Sequence, residues 1–451
     1  MTSGFILLPL LMHYLSPSEI GLWYVFVAVS NFAMLFEFGF SPTFARNIVY
    51  VVSGEKGLAR EGRMGEPNQG TIDWHLLATV IKASKIIYAG IAITVLVLLV
   101  LVGTPYIATI AADIPSVVRW GSWGVFCLST FINLYYLYTI TTLRGFGDVA
   151  GENRAKTIAK ASQLVLSAAL LISGAGLFGA SIGYLVNGLL LRLLAGLEMR
   201  KHERLTKGIR QVKTPPDRSE IKEVVLTVGH LAWRDGLVQL ANYASTQAMS
   251  LVGSLTLGLA ETGNYSILMQ FSNAVYGFAA VYPTSYFPAF QSAHAASDGE
   301  AQKDIVSKTM SAYIILLLFG LIGAGLVIQY VLPLVKEGFT PNVMQFICMV
   351  LYLGLWNQHS LCCSYIIAMN EIPYLKSYIA AAICGTALSY FLSGPMRWGA
   401  WGLIVGQAVS QLMYNNWKWP KYLAEKLGDS YLQLLKRGVL KHAQHNVPLS
   451  K

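Results

Sequence analysis

VVLTVGHLAWRDGLVQLANYASTQAMSLV, residues 224–252, is the stretch from which the rest of the chain is best read. A helix needs about 20 mostly apolar residues to cross the hydrocarbon core of a bilayer. This stretch is longer than that, yet Arg234 and Asp235 stand side by side near its middle. Charges at membrane depth are expensive and persist mostly where they face a water-filled path or a partner, so the pair is a functional candidate. Immediately before it, residues 200–223 hold eight Lys and Arg, the most basic segment between apolar spans. Together they read as the opening of the second half of a two-lobed membrane protein.

Composition supports that class. Of 451 residues, 54% are hydrophobic and 12% charged, where a soluble domain carries about 25% charged residues. The apolar run 4–15 has no basic segment before it and no small-residue cleavage site after it, so no removable leader is expected. The five cysteines, Cys127, Cys348, Cys362, Cys363 and Cys384, lie inside apolar spans and none has CxxC spacing. They read as small packing residues, not as metal or disulfide chemistry.

Hydropathy predicts twelve spans, at 2–15, 20–52, 76–102, 120–143, 157–173, 178–199, 224–256, 264–290, 309–335, 343–369, 377–392 and 399–417. The net charge of +10 sits almost wholly on one set of connecting loops: 25 Lys and Arg there against Arg119, Lys336 and Arg397 on the other. The positive-inside rule then puts both termini in the cytoplasm, and a nucleic-acid partner is not expected.

A weak internal repeat suggests the architecture. Glu19-Ile20-Gly21-Leu22-Trp23 recurs as Glu261-Thr262-Gly263-Asn264-Tyr265, offset by 242. Gly174 with Gly179-Ala180 recurs as Gly394 with Gly399-Ala400, offset by 220. The expected fold is all-α and polytopic: a first six-helix lobe at 1–199, a basic interlobe loop at 200–223, a second six-helix lobe at 224–419 and a basic tail at 420–451. Two lobes of six helices enter the membrane in the same sense, with a cavity expected between them. The first span, 2–15, would rise only about 20 Å, short of a core of about 30 Å.

The stretch LSPSEIGLWYVFVAVSNFAMLFEFGFSPTFARNI at 15–48, with Glu261-Thr262-Gly263-Asn264-Tyr265 as its second-lobe counterpart, resembles the start of Wzx-type polysaccharide flippases. These belong to the multidrug/oligosaccharidyl-lipid/polysaccharide (MOP) exporters, in which MATE transporters also fall. The resemblance implies a V-shaped cavity, an undecaprenyl-diphosphate-linked oligosaccharide as substrate, alternating access driven by an ion gradient, and a bacterial inner membrane. It also implies a role in O-antigen or other lipopolysaccharide assembly beside a polysaccharide polymerase, with membrane lipids as partners. The chain is expected to act as a monomer, without a cofactor. It departs from such flippases in its short first helix.

A diphosphate-bearing substrate needs cations that face water inside the protein. Arg234 lies about 15 Å into its helix, near the bilayer middle; it either faces the cavity or forms a buried pair with Asp235 or Glu37. His230, one turn earlier, titrates near neutral pH if it is not simply packed. Gln239, Asn242 and Gln247 continue a polar trail that reads equally as sugar-facing or interhelical. Lys82 and Lys85 share a helix face, and either snorkel or line a vestibule, as does Arg46. Arg192 reads as snorkelling. Asp235 and Glu37 are the candidates for coupling a proton or sodium ion. Tyr135, Tyr136 and Tyr138 either pack or stack on sugars.

Other chemistry is excluded. Gly174-Ala-Gly176-Leu-Phe-Gly179 fits GxGxxG but follows no strand, so it is not a dinucleotide site. No Walker A sequence and no His/Glu metal pattern occur. The longest predicted external loop, 103–119, has one Arg, one Asp and no His, which leaves no place for a catalytic centre. An organic-cation exporter wants an acidic cavity, and the candidates here are mostly basic. The amphipathic segment 422–441 is expected either to lie on the anionic leaflet or to be solvated.

Overall fold

Ser16 ends the first helix and starts the second. Its hydroxyl accepts the Glu19 N–H at 3.3 Å while the Glu19 carboxylate accepts the Ser16 N–H at 2.9 Å, a capping box with Pro17 at the first helical position. The computed structural model describes residues 2–37, 40–52, 54, 57, 72–212, 214–246, 248–335, 341–369, 371 and 373–445, and of these the side chains at 2–6, 42, 210, 230–239, 288, 292, 295 and 442–445 fall outside the description. The chain divides into two compact units, Met1–Leu240 and Ala241–Lys451.

The first unit holds α1 (Thr2–Tyr14), α2 (Pro17–Leu35), α3 (Phe40–Val52), α4 (Trp74–Leu98) running through a π turn (Leu99–Gly103) into α5 (Thr104–Ile110), α6 (Ser116–Tyr135), α7 (Leu137–Gly145), α8 (Val149–Ile172), α9 (Gly176–Lys201), α10 (Glu203–Arg210) and α11 (Arg218–Thr246), whose last turns pass into the second unit. The second unit adds α12 (Met249–Thr256), α13 (Leu259–Ser285), α14 (Phe287–Ala295), α15 (Gly299–Leu326) with its own π turn (Val327–Val331) and α16 (Leu332–Val335), α17 (Val343–Ala368), α18 (Leu375–Ser393), α19 (Ala400–Leu412), α20 (Asn415–Lys426) and α21 (Tyr431–His445). No strand occurs among the described residues. Among them, eight helical stretches are long and apolar enough to cross a membrane. The spans predicted at 2–15 and 399–417 correspond to α1 and α19, each only thirteen residues long, and α11 and α13, which carry the spans predicted at 224–256 and 264–290, are not among the eight. The fold is thus all-α and polytopic.

Several helices begin well before the apolar spans they carry. α8 starts at Val149, not near 157, because the Asp148 carboxylate accepts the Gly151 N–H at 2.7 Å and Glu152 pairs with Lys156 one turn on at 2.6 Å. Asp73 and Asp298 do the same for α4 and α15, accepting from Leu76 and Ala301, each at 2.9 Å. The basic interlobe segment is also largely helical. Leu205 of α10 and Ile221, Val224 and Val228 of α11 bury themselves with Phe44, Ile48 and Val51 of α3 and Leu77 and Val80 of α4. That packing makes the segment part of the first unit's core instead of a free loop.

The two repeated motifs meet inside each unit, in a register three residues from the one predicted. Gly176 (φ +54°) opens α9 and Gly399 (φ +59°) caps α19, so the equivalent pair lies 223 residues apart rather than 220. A methyl on Gly176 would sit 3.8 Å from Glu19 Oε1, and one on Gly399 3.1 Å from Glu261 Oε1. The Ala400 N–H donates to that Glu261 oxygen at 3.3 Å. In the corrected register Gly176-Leu-Phe178-Gly179…Gly183 matches Gly399-Ala-Trp401-Gly402…Gly406. The last glycines lie against α8 and α18: an added methyl would meet Ser167 Oγ at 2.0 Å and Ser389 Oγ at 2.4 Å. Small residues let these helix backbones approach closely.

The tail does not simply lie on a surface. One side of α21 packs on α15, where a methyl on Gly438 would fall 2.0 Å from the Ser307 carbonyl oxygen. Arg437 pairs with Glu300 at 2.9 Å and with Asp304, which Lys441 also pairs. Leu432, Val439 and Leu440 remain exposed on α21.

Candidate functional site

The break between α2 and α3 places a carboxylate among buried hydroxyls. Glu37 Oε1 accepts the Ser41 N–H at 2.7 Å and the Tyr88 O–H at 3.1 Å. Ser41 Oγ and Thr141 Oγ1 are 2.9 Å apart, and Tyr88 Oη lies 3.5 Å from the same threonine. Ser41, Tyr88 and Thr141 are buried and Glu37 is half-buried. The carboxylate sits at the start of α3, where the helix dipole and a free N–H favour negative charge. Four elements meet here: the α2–α3 turn, α3, α4 and α7. Among the described residues, the cations Arg144 and Lys156 act on Glu37 through space, and both are already engaged: Arg144 grips Glu152 at 2.5 and 2.9 Å, and Lys156 binds the same carboxylate at 2.6 Å. Glu37 therefore takes its hydrogen bonds from neutral donors. A carboxyl held this way can exchange a proton or take a small monovalent cation without breaking an ion pair.

The cationic candidates lie apart from it. Arg46 is exposed on α3. Lys82 and Lys85 are exposed on α4, on the side away from buried Ala83 and Ser84. Lys82 Nζ donates to the Pro216 carbonyl at 3.4 Å, just before α11. The Arg192 guanidinium lies over the Tyr136 ring, 4.2 Å from its centroid. Tyr136 in turn packs with Tyr135 at 4.7 Å and Tyr138 at 6.4 Å at the α6–α7 break.

On α11, the side chains of His230, Arg234, Asp235 and Gln239, and all of Gln247, lie outside the described residues. Asn242 is described: its carbonyl accepts the Thr246 hydroxyl at 2.8 Å, and its buried Oδ1 meets no donor. The neighbouring Ser245 hydroxyl accepts from Gln411 Nε2 at 3.2 Å. That interhelical bond is made by Ser245, which lies beside the polar residues Gln239, Asn242 and Gln247 and is not one of them.

The composition of the interlobe segment hides an acidic recess. Asp73, Glu220 and Glu223 line a 260 Å³ pocket with His75, whose Nε2 is 3.0 Å from Glu220. The Asp217 N–H at 2.8 Å and His75 hold the Glu220 carboxyl below its ordinary range. Among the described residues no group of three or more His, Cys, Asp or Glu is placed to hold a metal ion.

No family model matches the sequence, and no curated relative matches it. Solved structures match over nearly the whole chain. The inward-facing conformation of a multidrug resistance MATE family transporter of the MOP superfamily aligns at TM-score 0.63 and 14% identity, over 100% of this chain and 96% of that one. The lipid II flippase MurJ in its inward closed conformation aligns at 0.60 and 11%, over 96% and 92%. The Vibrio cholerae MATE transporter VcmN in the bent form aligns at 0.52 and 14%, over 98% and 99%. At these identities the likeness is one of fold, and the fold is that of MATE and MurJ.

Proposed function

We propose that the chain is a MOP-type transporter that moves a lipid-linked, negatively charged oligosaccharide from the cytoplasmic to the external leaflet of a bacterial inner membrane by alternating access. The observation that carries the sign of the substrate is in the first unit. Arg46 and Lys85 lie within predicted spans, and neither forms an ion pair among the described residues, whereas Arg144, Arg154 and Lys156 are all matched to glutamates. Unneutralised cations in a membrane domain suit an anionic cargo and disfavour an organic cation. The fold shared with a lipid II flippase makes a lipid-linked cargo compatible. Glu37 is the coupling carboxylate in this reading, and Arg234 with Lys82, Lys85 and Arg46 meets the diphosphate, with Gln239 and Asn242 toward the sugars. Asp235 is the alternative coupling group. The lobes run 1–199 and 224–419, with both termini cytoplasmic, and the chain works as a monomer with a polymerase as neighbour in the assembly line.

The test is glycan export in a strain whose own flippase has been deleted. The wild-type chain restores surface polysaccharide, and Arg234→Ala, expressed at the same level, does not. Full export by Arg234→Ala removes that residue from the mechanism. A second reading, an ion-coupled drug exporter, is favoured by the MATE likeness at TM-score 0.63. Raised resistance to organic cations without any glycan phenotype would select it.

A further inference from the structure

We infer that a lateral cleft in the first unit binds the phosphate head of an anionic bilayer lipid. The cleft has a volume of about 650 Å³ and lies between α4, α7, α9 and α10. Its cationic lining is Arg192 and Arg200; its apolar lining includes Leu193, Leu197 and Ile209. The inference does not depend on what the protein transports.

Three features carry it. The first is charge. Among the described residues no carboxylate lines the cleft. Glu198, on the same helix, is taken by Arg154 at 3.0 Å and Lys201 at 2.7 Å, and neither Arg192 nor Arg200 forms an ion pair among the described residues. Two guanidinium groups without an anion are open to one.

The second is preorganisation. The Arg192 guanidinium carbon lies 4.2 Å from the Tyr136 ring centroid, a cation–π contact that anchors the group, and a guanidinium so anchored can still offer N–H groups to phosphate oxygens. The hydroxyls of Thr139 and Thr206 donate to carbonyls of their own helical segments, which leaves the two arginines and the Tyr138 hydroxyl as side-chain donors among the described lining residues.

The third is the apolar continuation. Leu189, Leu193 and Leu197 recur every fourth residue along α9 and all are exposed, Leu193 by 58% and Leu197 by 53%. In a bilayer this stripe faces acyl chains, and it runs directly into the cleft. A free phosphate would fill only a small part of such a space and use none of the apolar wall. A lipid uses both: its phosphate at Arg192 and Arg200, its chains along the leucine stripe.

The experiment uses the purified full-length protein. Native mass spectrometry and thermal melting are run with added phosphatidylglycerol, phosphatidylcholine or inorganic phosphate. The expected result is retention of phosphatidylglycerol with a rise in melting temperature, little effect of the other two, and a loss of affinity of about thirtyfold in Arg192→Ala/Arg200→Ala, near 1 kcal/mol for each basic residue at a membrane surface. Arg192→Gln keeps a planar donor group over Tyr136 and removes the charge; it should lose about half of that binding free energy while melting like the wild type, which covers the case of a misfolded double variant. Equal binding of phosphatidylcholine, equal stabilisation by inorganic phosphate, or undiminished phosphatidylglycerol binding by a folded arginine variant would each overturn the site.

Discussion

Replacing Glu37 separates its structural role from its proposed coupling role. Glu37→Gln keeps an oxygen at Oε1, so the Ser41 N–H at 2.7 Å and the Tyr88 O–H at 3.1 Å retain their acceptor. The fold should then be held to within about 1 kcal/mol, the net worth of one ordinary hydrogen bond. Glu37→Ala removes the acceptor altogether. Tyr88 can turn to Thr141 Oγ1, already 3.5 Å away, while the Ser41 N–H at the start of α3 loses its side-chain acceptor. One stranded buried donor and one weakened bond amount to about 2–4 kcal/mol. Thermal melting in detergent or nanodiscs reads the stability, and substrate movement driven by an imposed proton or sodium gradient reads the coupling. The expected pattern is a wild-type melt with lost gradient dependence for Glu37→Gln, and a lowered melt for Glu37→Ala. Gradient-driven transport by Glu37→Gln at the wild-type rate would refute the coupling role. A Glu37→Ala protein as stable as the wild type would refute the hydrogen-bonding argument itself.

The equivalent glycines of α9 and α19 should respond differently to a methyl. At Gly183 the closest atom is the Ser167 hydroxyl, at 2.0 Å, so Gly183→Ala should cost about 1–3 kcal/mol and be partly rescued by Ser167→Ala; at Gly406 the Ser389 backbone nitrogen is itself 2.5 Å away, and Ser389→Ala should give no rescue. Thermal melts of the two double variants check this. A third expectation concerns pH. Lys426 at 2.7 Å and Tyr422 at 2.5 Å hold the Glu371 carboxyl below its ordinary value. Its stabilising contribution is therefore full above the unfolded carboxylate's pKa and is lost as pH falls through the lowered folded value. Glu371→Gln should lower the melting temperature at neutral pH and flatten the acid side of the melting-temperature profile, since the variant has no carboxylate there to protonate.

The apolar spans made the all-α, polytopic plan legible, because hydropathy is a local property of the chain. What they did not reveal depends on partners far away. Glu37 reads in isolation as an uncompensated charge, a coupling group or a partner for Arg234. Among the described residues its partners are the neighbouring Ser41 and a tyrosine 51 residues on, with a threonine 100 residues from Ser41 behind them. Tyr and Thr carry no charge to advertise that meeting. Arg192 and Tyr136 come together in the same way, across the α6–α9 packing. Two helix starts fell well ahead of their predicted spans for a different reason: Asp148 and Asp298 raise local polarity, which reads as loop, while as caps they begin helices. The three-residue error in the repeat has the same origin. Matching Gly174 to Gly394 follows identity along the string, but Gly176 and Gly399 are equivalent because each adopts positive φ beside a glutamate of the other repeated motif. That requirement falls on backbone shape, and the glycine spacing Gly176–Gly179–Gly183 against Gly399–Gly402–Gly406 was the one trace it left in the sequence.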